Sequence, residues 1–231
     1  MNYSSIIKGY FIDRPNRFIA HIQVNGASIT AHVKNTGRCR ELLLPGAEVI
    51  LQYHPDAEAL GRKTAYSLIG VYKELESGER ILINMDSQAP NQVAYEWMAK
   101  FPGISGLRRE VTFGQSRFDL AFEAEGRPGF MEVKGVTLEN GGIARFPDAP
   151  TERGVKHLHE LVHAAREGYE ACVLFVIQMK GVHVFQPNTD THPEFAVALR
   201  EADQAGVRVL AYDCLVTEDS LQVDQPVVVE L

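Results

Sequence analysis

A small β-barrel followed by an α/β domain is the fold class that this 231-residue chain predicts. Three observations predict it. Residues 1–82 carry a series of short apolar runs with little helical periodicity, the pattern of a small barrel. Residues 83–231 alternate helix-period and strand-period segments, the pattern of an α/β domain. The charge balance also changes there: residues 1–82 hold 10 Lys/Arg and 8 Asp/Glu, net +2, whereas residues 83–231 hold 13 and 22, net −9.

In the first part, "GYFIDRPNRFIAHIQVNGASITAHV" gives two extended runs joined by Asn25-Gly26. Asn and Gly tolerate positive φ, so this dipeptide predicts a tight hairpin. "CRELLLPGAEVILQYH" adds a Pro-Gly turn and a strand, and "TAYSLIGVYKELESGERILIN" adds two strands separated by Ser77-Gly78. An oligonucleotide-binding-type barrel fits this pattern, as do other small barrels.

The second part opens with a helix over 90–101, with Val93, Trp97 and Met98 on one side, ended by Gly103 and Gly106. "LRREVTF", "SRFDLAFE" and "GFMEVKG" follow as three strands, then the breaker-rich loop "GGIARFPDAPTERG". A helix over 151–167 presents an apolar stripe of Val155, Leu158, Val162 and Ala165, with Thr151 as its cap and Gly168 as its stop. "YEACVLFVIQ" reads as a strand buried on both faces, and "GVHVFQP" as a further strand. "PEFAVALREADQAG" is a helix and "VRVLAYD" a last central strand.

The chemistry concentrates in "SRFDLAFEAEGRPGFMEVKG". Side chains two apart on a strand share a face, so Glu132 and Lys134 point one way, Met131 and Val133 the other. If the two strands pair, Asp119 converges on them. Two carboxylates so placed hold a hard divalent cation, Mg²⁺ or Mn²⁺, with the Val133 carbonyl within reach. Such an ion acidifies a bound water and offsets charge on a phosphate, and Lys134 assists beside it. Glu96, on the preceding helix, is a third candidate carboxylate. The residues alone leave a second reading open, an ordinary hairpin with solvated polar edges.

Candidate nucleic-acid contacts lie elsewhere. Arg14 and Arg17 sit in "DRPNRF"; Lys34, Asn35, Arg38 and Arg40 surround the Thr36-Gly37 turn; Phe11, Phe18 and Tyr10 are available to stack on bases. In the Gly/Pro-rich loop and the helix after it, Arg145, Arg153 and Lys156 are placed to meet phosphates. His157, His159 and His163 invite a zinc site, but no third ligand follows from their spacing.

The remaining sequence features bound the setting. Cys39, Cys172 and Cys214 are odd in number and far apart, which argues against a disulfide framework and for a reducing, cytoplasmic compartment. The longest apolar run, "ACVLFVI", is too short to span a bilayer, and the N-terminus lacks the pattern of a signal peptide. The net charge of −7 means that a nucleic-acid partner must be met by local basic patches.

The stretches "RPNRF", "HVKNTGRCRELLLPG", "SRFDLAF", "MEVKGVTL", "ARFPDAPTERGVKHLHEL" and "VFQPN" resemble the sugar fermentation stimulation protein A family almost end to end. The resemblance implies an N-terminal oligonucleotide-binding-type barrel (OB fold, residues 1–82). It also implies a restriction-endonuclease-like domain of the PD-(D/E)xK class over 83–231. That class motif falls on Asp119, Glu132 and Lys134, with Phe118 where the class usually has proline. The family further implies DNA binding and a link to the regulation of sugar metabolism. Partner expectations are therefore DNA, no membrane, and self-association as an option.

Overall fold

The computed structural model describes residues 1–35, 37–75 and 77–231. Thr36, half of the predicted Thr36-Gly37 turn, lies outside them. The chain first forms β1 (Ile6–Asn16), β2 (Ile19–Val24), β3 (Ala27–Val33), β4 (Glu48–Tyr53), β5 (Tyr66–Glu74) and β6 (Arg80–Asn84). Asn25 and Gly26 make the tight turn between β2 and β3 with φ of 49° and 83°, the left-handed conformation that selected them. Strands β1, β2 and β3 pair in sequence, β1 also pairs with β4, and β4 with β5. A parallel pairing of β3 with β5, Ala31 opposite Tyr66 to Val33 opposite Leu68, closes the ring of five. Ala20, Ile22, Ala31, Val33, Val49, Leu51, Leu68 and Val71 are all buried. The sixth strand lies on β5 outside the ring. It runs to Asn84, so the expected boundary after residue 82 falls inside a strand.

The second part comprises α1 (Ala89–Met98), β7 (Ile104–Phe113), β8 (Ser116–Ala124), β9 (Arg127–Val136), β10 (Leu138–Asn140), β11 (Ile143–Phe146), α2 (Glu152–Arg166), β12 (Glu170–Ile177), β13 (Val184–Pro187), α3 (Pro193–Gln204), β14 (Arg208–Val216), β15 (Leu221–Pro226) and β16 (Val228–Val229). A six-stranded mixed sheet runs β15-β14-β12-β9-β8-β7. Its centre, β9-β12-β14, is parallel, which explains the unbroken apolar run of β12, buried from Ala171 to Ile177. Leu120, Phe122, Met131 and Val133 pack with α1 on one face. Phe130, Phe175 and Ala211 pack with α2 and α3 on the other.

Two sequence expectations are corrected here. Ile143–Phe146, expected in a loop, is a strand, paired antiparallel with β10 and in parallel with β13. Its four residues are too few for periodicity to register. Helix α2 is turned from the expected stripe: its buried positions are Gly154, His157, Leu158, Leu161 and Ala164, while Val155, Val162 and Ala165 pack at the margin. The rotation carries His157 beneath the sheet, where a carboxylate receives it. The cap is as expected, with Thr151 Oγ1 accepting from Gly154 N at 3.1 Å.

Candidate functional site

The site begins where β8 and β9 part. Their ladder runs from Ala124–Arg127 to Leu120–Met131. One residue beyond, a side chain replaces the strand partner: Val133 N donates to Asp119 Oδ2 at 2.8 Å. The other oxygen, Oδ1, accepts from Asn91 Nδ2 at 2.6 Å. Asn91 stands on the first turn of α1, so that helix orients the aspartate.

Glu132 is almost wholly buried. Its Oε1 accepts from Lys134 Nζ at 2.5 Å and is also bonded to His157 Nδ1, which α2 brings in from below. On the outer side of that ring, Arg153 Nε donates to His157 Nε2 at 3.3 Å. Among the described residues, Glu132 Oε2 is buried and has no partner. A carboxylate oxygen left so is costly unless something satisfies it.

The electrostatics agree. Burial, and then the charge of Glu132, push the Asp119 carboxyl above its ordinary range. Burial also acts to raise Glu132, but the bonds from His157 and Lys134 outweigh it and hold that carboxyl low. The two carboxyls are thus pushed in opposite directions by their surroundings.

The structure brings together Asp119, Glu132 and Lys134, and it leaves Glu96 out. Glu96 Oε2 accepts from the N-terminal ammonium at 2.7 Å, and Oε1 accepts from Gln92 Nε2 at 2.5 Å. Helical phase is the reason: the residue of α1 that reaches Asp119 is Asn91. Among the described residues no group of three or more His, Cys, Asp and Glu forms a metal cluster. Glu96 therefore adds no third acidic ligand to the pair, and of the three histidines His157 is bonded to Glu132 while His159 and His163 are exposed. Sequence reasoning missed Asn91 and the role of His157. The only signal for His157 was its place among the helix's apolar positions.

Among the expected nucleic-acid contacts, three are engaged within the protein itself. Arg14 donates to four carbonyls: Gly37 at 2.9 Å, Arg38 at 3.1 Å, and Arg17 and Asn35 at 2.7 Å each. It holds the loop after β3 in shape. Asn35 Oδ1 accepts from Gly37 N at 2.8 Å and shapes the same loop. Lys34 Nζ donates to the buried Asp86 at 2.6 Å. The cations left exposed are Arg17, Arg38, Arg40, Arg153 and Lys156, with Arg145 partly so. Phe11 belongs to the core, whereas Tyr10 and Phe18 are exposed, and the Arg17 guanidinium lies 4.7 Å from the Phe18 ring centre. Phe18 also lines a groove with Asn16, His32, Arg62 and Lys63, the last two unforeseen.

These pieces are joined across the two domains. Arg38 N donates to Asp148 Oδ2 at 3.1 Å, which seats the barrel loop against the loop that precedes α2. Gly37 makes this approach feasible, since a Cβ there would lie 2.1 Å from Asp148 Oδ2. Arg14→Ala is expected to destabilise the protein by about 2 kcal/mol, because hydrogen bonds from a charged group are the stronger kind. Arg38→Ala and Arg40→Ala should stay within about 0.5 kcal/mol of the parent. Urea unfolding of the three variants checks this.

A closed five-strand barrel with this connectivity, joined to a mixed α/β domain that carries an acid pair and a lysine on its strands, defines a class: a two-domain protein of OB-type barrel and α/β domain. Residues 12–99 match the family described as SfsA N-terminal OB domain, and residues 88–220 match the sugar fermentation stimulation protein RE domain. The chain belongs to the sugar fermentation stimulation protein family. It is 55% identical over 233 residues to the sugar fermentation stimulation protein homolog of Desulfitobacterium hafniense (strain Y51), covering 100% of this chain and 99% of that one. It is 51% identical over 226 residues to the homolog of Clostridium beijerinckii, covering 96% of each. The structure of Pyrococcus furiosus SfsA in complex with Ca²⁺ matches with a TM-score of 0.85 at 27% identity, covering 100% of this chain and 98% of that one.

Proposed function

We propose that the protein binds DNA and hydrolyses phosphodiester bonds at a site where Asp119 and Glu132 hold Mg²⁺ or Mn²⁺ and Lys134 stands beside them. The observation that carries this reading is Glu132 Oε2, buried without a partner among the described residues, next to an aspartate whose carboxyl is pushed up by burial and by its neighbour's charge. Such a pair suits a hard cation, and two carboxylates with water are an ordinary ligand set for one. The relative from Pyrococcus furiosus was solved with Ca²⁺, an ion of the same oxygen-seeking kind. When bound, the ion supplies Lewis acidity and an acidified water.

The chain's own residues do the rest. Asn91 and the Val133 amide fix Asp119. Lys134 spends one donor on Glu132 and keeps the others for phosphoryl oxygens. The exposed Arg17, Arg38 and Arg40 of the barrel and Arg145, Arg153 and Lys156 of the second domain meet the phosphate backbone on either side of the Arg38–Asp148 contact. Phe18 offers a stacking face for an unpaired base. The compartment we infer is the cytoplasm; the three cysteines are free and buried, and no helix among the described residues is long and apolar enough to cross a membrane.

A non-catalytic DNA-binding regulator on the same scaffold is the reading favoured by a different observation: both oxygens of Asp119 already accept hydrogen bonds. One experiment separates the two. The purified protein is incubated with single-stranded, duplex and flapped DNA and with RNA, in Mg²⁺ or Mn²⁺, and binding is followed against salt. Cleavage that needs the divalent ion supports the first reading. Salt-dependent binding with no cleavage of any substrate supports the second. Binding that is insensitive to salt overturns both, since phosphate contacts release counterions. Arg38→Ala and Arg40→Ala should each reduce the salt slope by about 1.

A further inference from the structure

Arg153 is exposed, and His157 and Glu132 are buried, yet the three form one hydrogen-bonded line from the surface to the acid pair. Arg153 Nε can only donate, so His157 Nε2 accepts, and the ring proton that meets Glu132 Oε1 is on Nδ1. Lys134 shares Oε1, which leaves Oε2 as the oxygen turned to a ligand. The terminal nitrogens of Arg153 are not used in this line and remain available for a phosphate. Thr151 caps the helix that carries both residues, which fixes their distance from the sheet.

We propose that His157 and Arg153 are positioning residues that couple phosphate binding at the surface to the presentation of Glu132 Oε2 to the divalent ion. The inference rests on the metal-site reading above. A phosphate that immobilises Arg153 through its terminal nitrogens also holds its Nε on His157 Nε2. That fixes the imidazole's tautomer and tilt, and with them the carboxylate. Groups that orient a ligand carboxylate in this way ordinarily change metal affinity by about 10- to 100-fold when removed. Coupling is reciprocal: the ion must strengthen phosphate binding by the factor by which phosphate strengthens ion binding.

The test is calorimetric titration of the full chain with Ca²⁺, with and without a saturating short single-stranded oligonucleotide, and needs no turnover. His157→Phe is expected to weaken Ca²⁺ binding by about 10- to 100-fold. His157→Asn, whose amide nitrogen replaces the Nδ1 donor but cannot reach Arg153, should recover most of that loss. In both His157→Asn and Arg153→Ala the oligonucleotide's enhancement of Ca²⁺ affinity should shrink by about 5-fold or more. Unchanged Ca²⁺ affinity in a folded His157→Phe, no recovery in His157→Asn, or undiminished enhancement in Arg153→Ala overturns the inference. Ca²⁺ binding abolished in Asp119→Asn while the His157 variants behave as the parent overturns this inference and leaves the site itself standing. A parent protein that binds no Ca²⁺, Mg²⁺ or Mn²⁺ overturns both.

Discussion

Asp119→Asn is expected to lower divalent-dependent cleavage by about 10³-fold or more while leaving the protein at least as stable as the parent in metal-free buffer. The asparagine keeps the size of the aspartate. It loses the charge but its oxygen can still accept from the Val133 amide, while its own amide donates to Asn91, whose side chain turns to present its oxygen. The stability side follows from the raised carboxyl of Asp119, caused by burial and by Glu132. An acid whose folded-state value lies above its unfolded one is stabilising only when protonated. Its penalty grows as pH rises from the ordinary carboxylate range through the raised value, and is complete above that value. Removing the charge removes that penalty. A divalent ion should therefore raise the melting temperature of the parent and not of the variant. Single-turnover cleavage and thermal melts with and without Mg²⁺ check both halves. Retained cleavage in the variant would sink the proposed site.

Asp86→Ala is expected to cost about 3–5 kcal/mol of stability, the range for breaking a buried ion pair by removing one partner. Asp86 is fully buried where β6 leads into α1. Its Oδ2 accepts from Lys34 Nζ at 2.6 Å and from Tyr3 OH at 3.4 Å, and Oδ1 accepts from Gln88 N at 2.9 Å. Gln178 Nε2 adds bonds to Asn84 Oδ1 at 2.9 Å and to the Asp86 carbonyl at 3.1 Å, which tie the end of β12 into the same network. Without Asp86, Lys34 is left as a largely buried cation with no acid beside it. The double variant Lys34→Met/Asp86→Leu should recover much of the loss, since an apolar pair avoids the desolvation that the ion pair offsets. Urea denaturation of the single and double variants measures this, and a loss under about 1 kcal/mol for Asp86→Ala would show that the junction does not depend on the pair. Lys34→Met should reduce stability without altering the salt slope of DNA binding, in keeping with a structural lysine.

Much of this was legible because it was local. The Asn25-Gly26 turn, the Thr151 cap and the facing of Glu132 with Lys134 each follow from a few adjacent residues and a fixed period. The family resemblance supplied the barrel type and the roles proposed for Asp119, Glu132 and Lys134. What escaped depends on contacts distant in sequence. Arg14 looks like a solvated cation from its neighbours, and only the folded loop shows four carbonyls around it. Glu96 and Asn91 lie on one helix five positions apart, and its rotation against the sheet decides which of them meets Asp119. His157 was counted among three similar histidines because a buried ion partner 25 positions away leaves no trace in periodicity.

The close approach of Gly37 to Asp148 bears on engineering. Any side chain at 37 would occupy the space that the Asp148 carboxylate fills, and the carboxylate in turn leaves room for nothing larger than hydrogen. The two positions are sterically interlocked, although they lie in separate domains and 111 residues apart in the chain. Chimeras that graft one relative's barrel onto another's second domain should dock only when that glycine and that acid arrive as a matched set.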